Sequence, residues 1–202
     1  MGLTCQWIPS KLGRWTEKDD SLSFLFFSGT GHSCVYPLLG CRLNATWKFT
    51  ATDIDERALE FAQKNVTDNQ LGDRIVCLLN ANKDLLLLPV TNANPTMRFA
   101  FCMCNPPFYE SWEQVRLRKE LKLQEPSAVC QGTENEMLTE GGEVEFVKKM
   151  IHESMTLRER IGWYTTKIGI KASLRELVEE LEKFQVLFST LPFCFVCVCS
   201  RV

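Results

Sequence analysis

Histidine is nearly missing from this chain: His32 and His152 are its only two, and they lie far apart in sequence. A histidine-centred triad or a His-rich metal cluster has little to work with. Cys194-Phe195-Val196-Cys197 has a ligand-like spacing, but no second CxxC or paired histidines accompany it, so no metal is expected. Positive charge is not in excess either. Lys and Arg total 23 against 25 Asp and Glu, a formal net charge of −2, which is the wrong sign for a protein that grips nucleic acid through a basic face. Long apolar runs are lacking too. Val186 to Cys199 is broken by Ser189, Thr190 and Pro192 and falls short of the roughly 20 residues a membrane-spanning helix needs. Residues 1–20 carry Lys11, Arg14, Lys18, Asp19 and Asp20 and no sustained apolar core, so neither secretion nor a membrane span is expected.

Cysteine, by contrast, is abundant, with ten in 202 residues. Cys102, Cys104, Cys194, Cys197 and Cys199 sit inside apolar, strand-like runs, where the residue acts as a small hydrophobe. Reduced thiols and an intracellular location, nucleus or cytoplasm, are the expectation. The sequons Asn44-Ala45-Thr46 and Asn65-Val66-Thr67 are then chance matches.

An apolar content of 45% with 24% charge is that of one ordinary α/β domain, or slightly less than one if an end is missing. Strand patterns fall at Ser21–Phe27, Trp47–Thr52, Ile75–Leu79, Arg98–Cys104 and Ile161–Thr166, with a final strand in the apolar tail from Val186. Helical periodicity alternates with them. Ser33–Leu43 must hold Pro37 in its first turn; Glu56–Asn69 has Asp55 as N-cap. A helix from Glu143 to about Arg160 carries Val144, Val147, Met150, Ile151 and Met155 on one face. Ser173-Leu174-Arg175-Glu176 reads as a capping box opening the last helix. Tyr109–Gly142 is read as one long, polar, flexible loop. Alternating strands and helices imply a mostly parallel, doubly wound sheet, whose ligands bind beyond the carboxyl ends of the strands.

Three segments fall at such ends. Gly29-Thr30-Gly31-His32-Ser33 follows the first strand, and its glycines let the backbone approach a ligand closely; a third glycine is absent, against a dinucleotide fingerprint. Asp53 ends the second strand and can accept from a ribose diol once Asp55 has taken the cap. Asn105-Pro106-Pro107-Phe108 follows the buried fourth strand. Its prolines fix the backbone and donate nothing, so the turn presents carbonyls and the Asn105 amide oxygen as acceptors. A planar exocyclic amine could give both hydrogens to that pair while an aromatic ring stacks on its base. Catalysis of methyl transfer there would rest on positioning and electrostatics. Arg116, Arg118, Lys119 and Lys122 are offset by Glu110, Glu113, Glu120 and Glu125, and Ser33 lacks the flanks of a nucleophile elbow.

The blocks from Gly29 to Gly40, Ala51-Thr52-Asp53, Phe101 to Phe108 and Glu140 to Lys148 closely resemble the family of methyltransferase-like protein 16 and the large-subunit ribosomal RNA N6-adenine methyltransferases. The likeness runs from about Ser28 to about Leu181. It implies a Rossmann-like class I S-adenosylmethionine-dependent methyltransferase fold, α/β with a mostly parallel doubly wound sheet, that methylates adenine N6 in structured RNA such as U6 small nuclear RNA or ribosomal RNA. It implies Gly29, Gly31, Ser33, Asp53, Asp84 and Asn105 around S-adenosylmethionine, with no metal. It also implies Asn105, Pro106, Pro107 and Phe108 on the target amine, with Phe108 stacked on a flipped adenine.

Three departures bear on activity. The family closes its first strand with an acid where this chain has Ser28 or its neighbours. The basic N-terminal region that grips RNA has no counterpart in residues 1–20, a poorly matched lead to the methyltransferase domain at 21–202. The family's arginine-containing final strand pair is replaced by a Cys/Phe-rich tail at 186–202. A sheet cut short at both ends, weakened RNA binding, and a truncated or variant form are therefore expected. The competing acceptors are a release-factor glutamine and DNA adenine, and the competing class is an inactive remnant.

Overall fold

The computed structural model describes residues 24–93, 95–120, 134–185, 187–191 and 195–199. The N-terminal lead and most of the Arg116–Glu125 charge run lie outside them or have undescribed side chains. Five parallel strands form the body of one sheet: β1 Phe24–Ser28, β2 Lys48–Asp53, β3 Ile75–Leu79, β4 Phe99–Cys104 and β5 Ile161–Lys167. Two more, β6 Leu187–Leu191 and β7 Phe195–Cys199, join antiparallel to give the order β3-β2-β1-β4-β5-β7-β6. Two antiparallel strands thus extend the parallel body beyond β5. The Cys/Phe-rich tail, expected to be one strand, supplies two: Leu187–Leu191 and Phe195–Cys199 pair with each other, and the second also pairs with β5.

The helices are α1 Val35–Leu43, α2 Glu56–Asp68, α3 Leu88–Ala93, α4 Trp112–Glu120, α5 Glu134–Met137, α6 Gly142–Leu157 and α7 Lys171–Lys183. They cover both faces of the sheet. Strand alternation sends Leu25 into a cluster with Trp47, Phe49, Ala62 and Val66, and Phe26 into the opposite cluster with Val147, Ile151, Tyr164 and Leu177.

Local signals hold where the chain satisfies itself. Pro37 occupies the first turn of α1, where a missing N–H costs nothing. Asp55 caps α2 by accepting from Arg57 N–H (2.9 Å) and Ala58 N–H (3.3 Å). The Arg74 guanidinium seats the α1–β2 connection by donating to the carbonyls of Cys41, Asn44 and Trp47. Two expectations fail. The capping box does not form: α7 begins at Lys171, and Ser173 is buried within its first turn. The Glu143 carboxylate, brought in by α6, accepts instead from Gly169 N–H (2.7 Å) and Ile170 N–H (2.8 Å). The segment 109–142 is not one loop either; it contains α4 and α5, and Met137 is buried. Among the described residues no helix is long and apolar enough to cross a membrane.

Candidate active site

The order β3-β2-β1-β4 reverses the direction of winding between β1 and β4, and an α/β sheet opens a crevice at such a point. Leaving β1, Gly29 and Gly31 adopt φ of 71° and 60°, a backbone that glycine alone adopts freely. That turn is tied to the next strand. Gly31 N–H donates to Asp53 Oδ2 (2.8 Å), Asp55 N–H to Oδ1 (3.0 Å), and Thr30 N–H to the Thr52 carbonyl (2.9 Å). Asp53 is 9% exposed. Burial pushes its carboxyl above the ordinary carboxylate value, against the pull of the Asp55, Gly31 and Ile54 amides. Three amide donors on two carboxylate oxygens leave acceptor capacity for a further donor.

Beyond β3, Asn80 fastens the adjoining loop. Its N–H donates to the Asp53 carbonyl (2.8 Å), its side chain to the Leu85 carbonyl (2.6 Å). The same loop is held from below by Glu153 of α6, whose buried carboxylate accepts from the amides of Leu86, Leu87 and Leu88 at 2.6, 2.7 and 2.8 Å. Beyond β4, Asn105 is exposed and its carbonyl faces Gly29, where a Cβ would stand 4.0 Å from it. Pro106 is buried behind the turn, and Phe108 is half-buried. The Lys167 ammonium lies 5.3 Å from the centre of the Phe108 ring, and Tyr109 meets that ring edge to face at 6.4 Å.

These strand ends surround a cavity of about 760 Å³, within the range of small-molecule sites. Gly29, Gly31, Ser33, Asp53, Asn105, Pro107 and Phe108 line it; Pro106 does not. Asp84 reaches only the rim, with a 90% exposed side chain 3.6 Å from the Lys149 ammonium. Asn80, Lys83, Glu136, Phe146 and Lys149 also line it and were not foreseen. Glu136 comes from α5, within 109–142, and lies 3.2 Å from His32 Nδ1. His152 pairs elsewhere, with Glu180 (2.8 Å), so the two histidines form no unit. Nor are Cys102 and Cys104 poised as nucleophiles: burial pushes Cys102 up to about 12 and Cys104 higher still. Among the described residues no cluster of three His, Cys, Asp or Glu could hold a metal ion. A second depression of about 480 Å³ along α6 and α7 is lined by charges that satisfy one another, Lys148 with Glu176 and Lys183 with Glu180.

The cavity can hold a nucleoside-like ligand by its diol at Asp53 and bring it against the acceptors of the Asn105 turn. The chain is similar to known proteins over most of its length. The profile of a family described as RNA methyltransferase matches residues 14–190, reaching further at both ends than the likeness read from 28 to 181. The U6 small nuclear RNA (adenine-(43)-N(6))-methyltransferase of Schizosaccharomyces pombe is 43% identical over 155 residues, 77% of this chain and 38% of that protein. The human Mettl16 catalytic domain, solved in complex with MAT2A 3′UTR hairpin 6, superposes with a TM-score of 0.82 at 34% identity, covering 98% of this chain and 69% of that one. The N-terminal domain of human METTL16 in complex with SAH superposes at 0.71 with 30% identity, over the same shares of the two chains. The chain spans about a third of the length of the curated relatives it matches. By profile, identity and fold together, this chain belongs to the RNA methyltransferase family.

Proposed function

We propose that this chain transfers a methyl group from S-adenosylmethionine to the N6 amine of adenine in structured RNA. The observation that carries the reading is the meeting of Asn105, Pro107 and Phe108 with the Gly29–Gly31 turn and Asp53 in one cavity at the sheet's switch point. Support for the acceptor comes from the adenine-N6 activity named for the yeast relative and the RNA hairpin bound to the human one; support for the donor comes from the SAH complex of the latter.

S-adenosylmethionine supplies an electrophilic sulfonium methyl. Asp53, with its remaining acceptor capacity, accepts from the ribose hydroxyls. Gly29 and Gly31 let the backbone run close beneath the ligand, and Asp84 stays at the rim. On the acceptor side, the Asn105 amide oxygen and a carbonyl of the proline turn take the two N6 hydrogens. This draws the amine out of conjugation and frees its lone pair. Phe108 stacks on the flipped adenine. The N6 pair forms the new N–C bond as the S–C bond breaks, sulfur leaves with the bonding pair, and one N6 proton passes to water. No strong general base is needed; the rate gain is positional and electrostatic.

RNA binding is the weak side of this reading. With a net charge of −2 and, among the described residues, Lys83, Lys149 and Lys167 near the cavity, the chain's own hold on phosphates is small. At equal salt its RNA affinity is expected to fall below that of a version preceded by a basic segment. The deciding experiment offers methyl-labelled S-adenosylmethionine with a U6 small nuclear RNA transcript, duplex DNA and a translation release factor. Label recovered as N6-methyladenosine in the RNA upholds the proposal; label in DNA or release factor instead overturns it. Failure to bind S-adenosylmethionine at millimolar concentration would mark a remnant.

A further inference from the structure

Phe108 needs a support that the strand-end turn cannot provide alone, and the support comes from a different part of the chain. Glu143, the second residue of α6, is 1% exposed, and a carboxylate so deeply buried must be fully engaged. Its two oxygens accept from Gly169 and Ile170, on the connection between β5 and α7. That grip presses Gly169 against the Phe108 ring: a Cβ at position 169 would stand 2.6 Å from ring Cδ1, 2.8 Å from Cε1 and 3.1 Å from Cγ. Lys167, two residues earlier at the end of β5, lies over the ring. One face and one edge of Phe108 are thus defined by the segment that Glu143 anchors, while the ring itself lines the cavity.

We propose that Glu143 and Gly169 are positioning residues that set the angle of the Phe108 ring as the platform for the target adenine. The inference rests on the RNA adenine reading of the site. Neither residue touches the cofactor side of the cavity, so the two halves of the site are separable. Gly169 has an ordinary backbone conformation, with no φ in the left-handed region, so alanine there is not strained in itself. The cheapest relief of its overlap is rotation of the ring, not a shift of backbone.

The test compares Gly169→Ala and Glu143→Gln with the unaltered chain in steady-state methylation of a U6 transcript, and in titration with S-adenosylhomocysteine. Loss of one base–aromatic stack lowers turnover on RNA by roughly 10- to 100-fold. Gly169→Ala is expected to lose that much in kcat/KM for RNA while its affinity for S-adenosylhomocysteine and its Tm stay unchanged. Glu143→Gln, keeping one acceptor oxygen, should fall between the two. A Gly169→Ala chain that methylates RNA as well as the unaltered one overturns the platform and leaves the function standing. Equal losses in RNA turnover and in S-adenosylhomocysteine affinity also overturn it, because a general disturbance would explain both. Absence of RNA methylation by the unaltered chain overturns the function reading first, and the platform with it.

Discussion

Glu153 sits under the site without touching the cavity, and its replacement tests whether the loop above it is held by charge. Its carboxylate receives three backbone N–H groups: Oε1 takes Leu86, and Oε2 takes Leu87 and Leu88. These are the amides entering α3, a helix of six residues that has little cohesion of its own. In Glu153→Gln the amide oxygen can keep the Leu87 and Leu88 bonds, but the new NH₂ faces the Leu86 N–H. A buried donor left unpaired costs about 1–3 kcal/mol, and two bonds lose charge assistance worth about 1 kcal/mol each. The sum is about 3–5 kcal/mol, which for a chain of this size lowers Tm by about 6–20 °C. Thermal unfolding followed by circular dichroism measures it, with Glu159→Gln on the exposed turn after α6 as the neutral comparison. Because Asn80, Lys83 and Asp84 ride on the same loop, affinity for S-adenosylhomocysteine should fall as well. A Glu153→Gln chain that melts within roughly 2 °C of the parent would refute the argument that the carboxylate's charge holds this loop.

Asn105 is exposed, so Asn105→Ala should leave Tm nearly unchanged while lowering kcat on RNA about 100-fold or more, as the loss of one positioned hydrogen-bonding group at a reacting centre does; single-turnover methylation reads it. Burial holds the Asp53 carboxyl above its ordinary value of 3.8. The folded chain therefore binds that proton more tightly than the unfolded one, and the group's contribution to stability is greatest below 3.8 and lost as pH rises through the folded value. Ligand binding runs the other way, since only the ionised form accepts from two hydroxyls. Affinity for S-adenosylhomocysteine should begin to fall on acidification above pH 3.8, whereas Asp53→Asn binds weakly and without that dependence; calorimetric titration across pH distinguishes them. Gly40 of α1 lies so close to β2 that a Cβ would overlap the Phe49 ring. Gly40→Ala should therefore overpack the core and cost about 1–3 kcal/mol, seen as a lower urea midpoint.

The parts of the fold legible in the sequence are those a short stretch settles by itself. Five parallel strands were found within a few residues of their ends, the cap at Asp55 was named, and Pro37 fell in the first turn of α1 as required. What escaped depends on distant partners. Helix α3, Leu-Pro-Val-Thr-Asn-Ala, contains poor helix formers and a proline, and its entering amides are capped from 65 to 67 residues away by Glu153. Ser173 and Glu176 have the right spacing for a capping box, yet the amides just before α7 are claimed by Glu143, from 26 and 27 residues upstream. A local preference lost to a better-placed charge.

The site divides the same way, with one difference. Gly29, Asp53 and Asn105 were legible because each ends a strand of a parallel sheet, where such a fold exposes its backbone to a ligand. The residues that hold them in place left a signal that went unused. Val147, Met150 and Ile151 mark the buried stripe of α6. Glu143 lies four residues before Val147 and Glu153 three residues after Met150, so both glutamates fall on that stripe by helical spacing. An acid on an apolar stripe must meet donors when the helix docks. Each of these two meets the backbone amides of a loop that carries or supports the site, one below the cofactor side and one behind Phe108. A charged residue at a position where periodicity demands an apolar one is therefore a reason to look for a loop it fastens. In this sheet the loops worth fastening are those at the carboxyl ends of the strands.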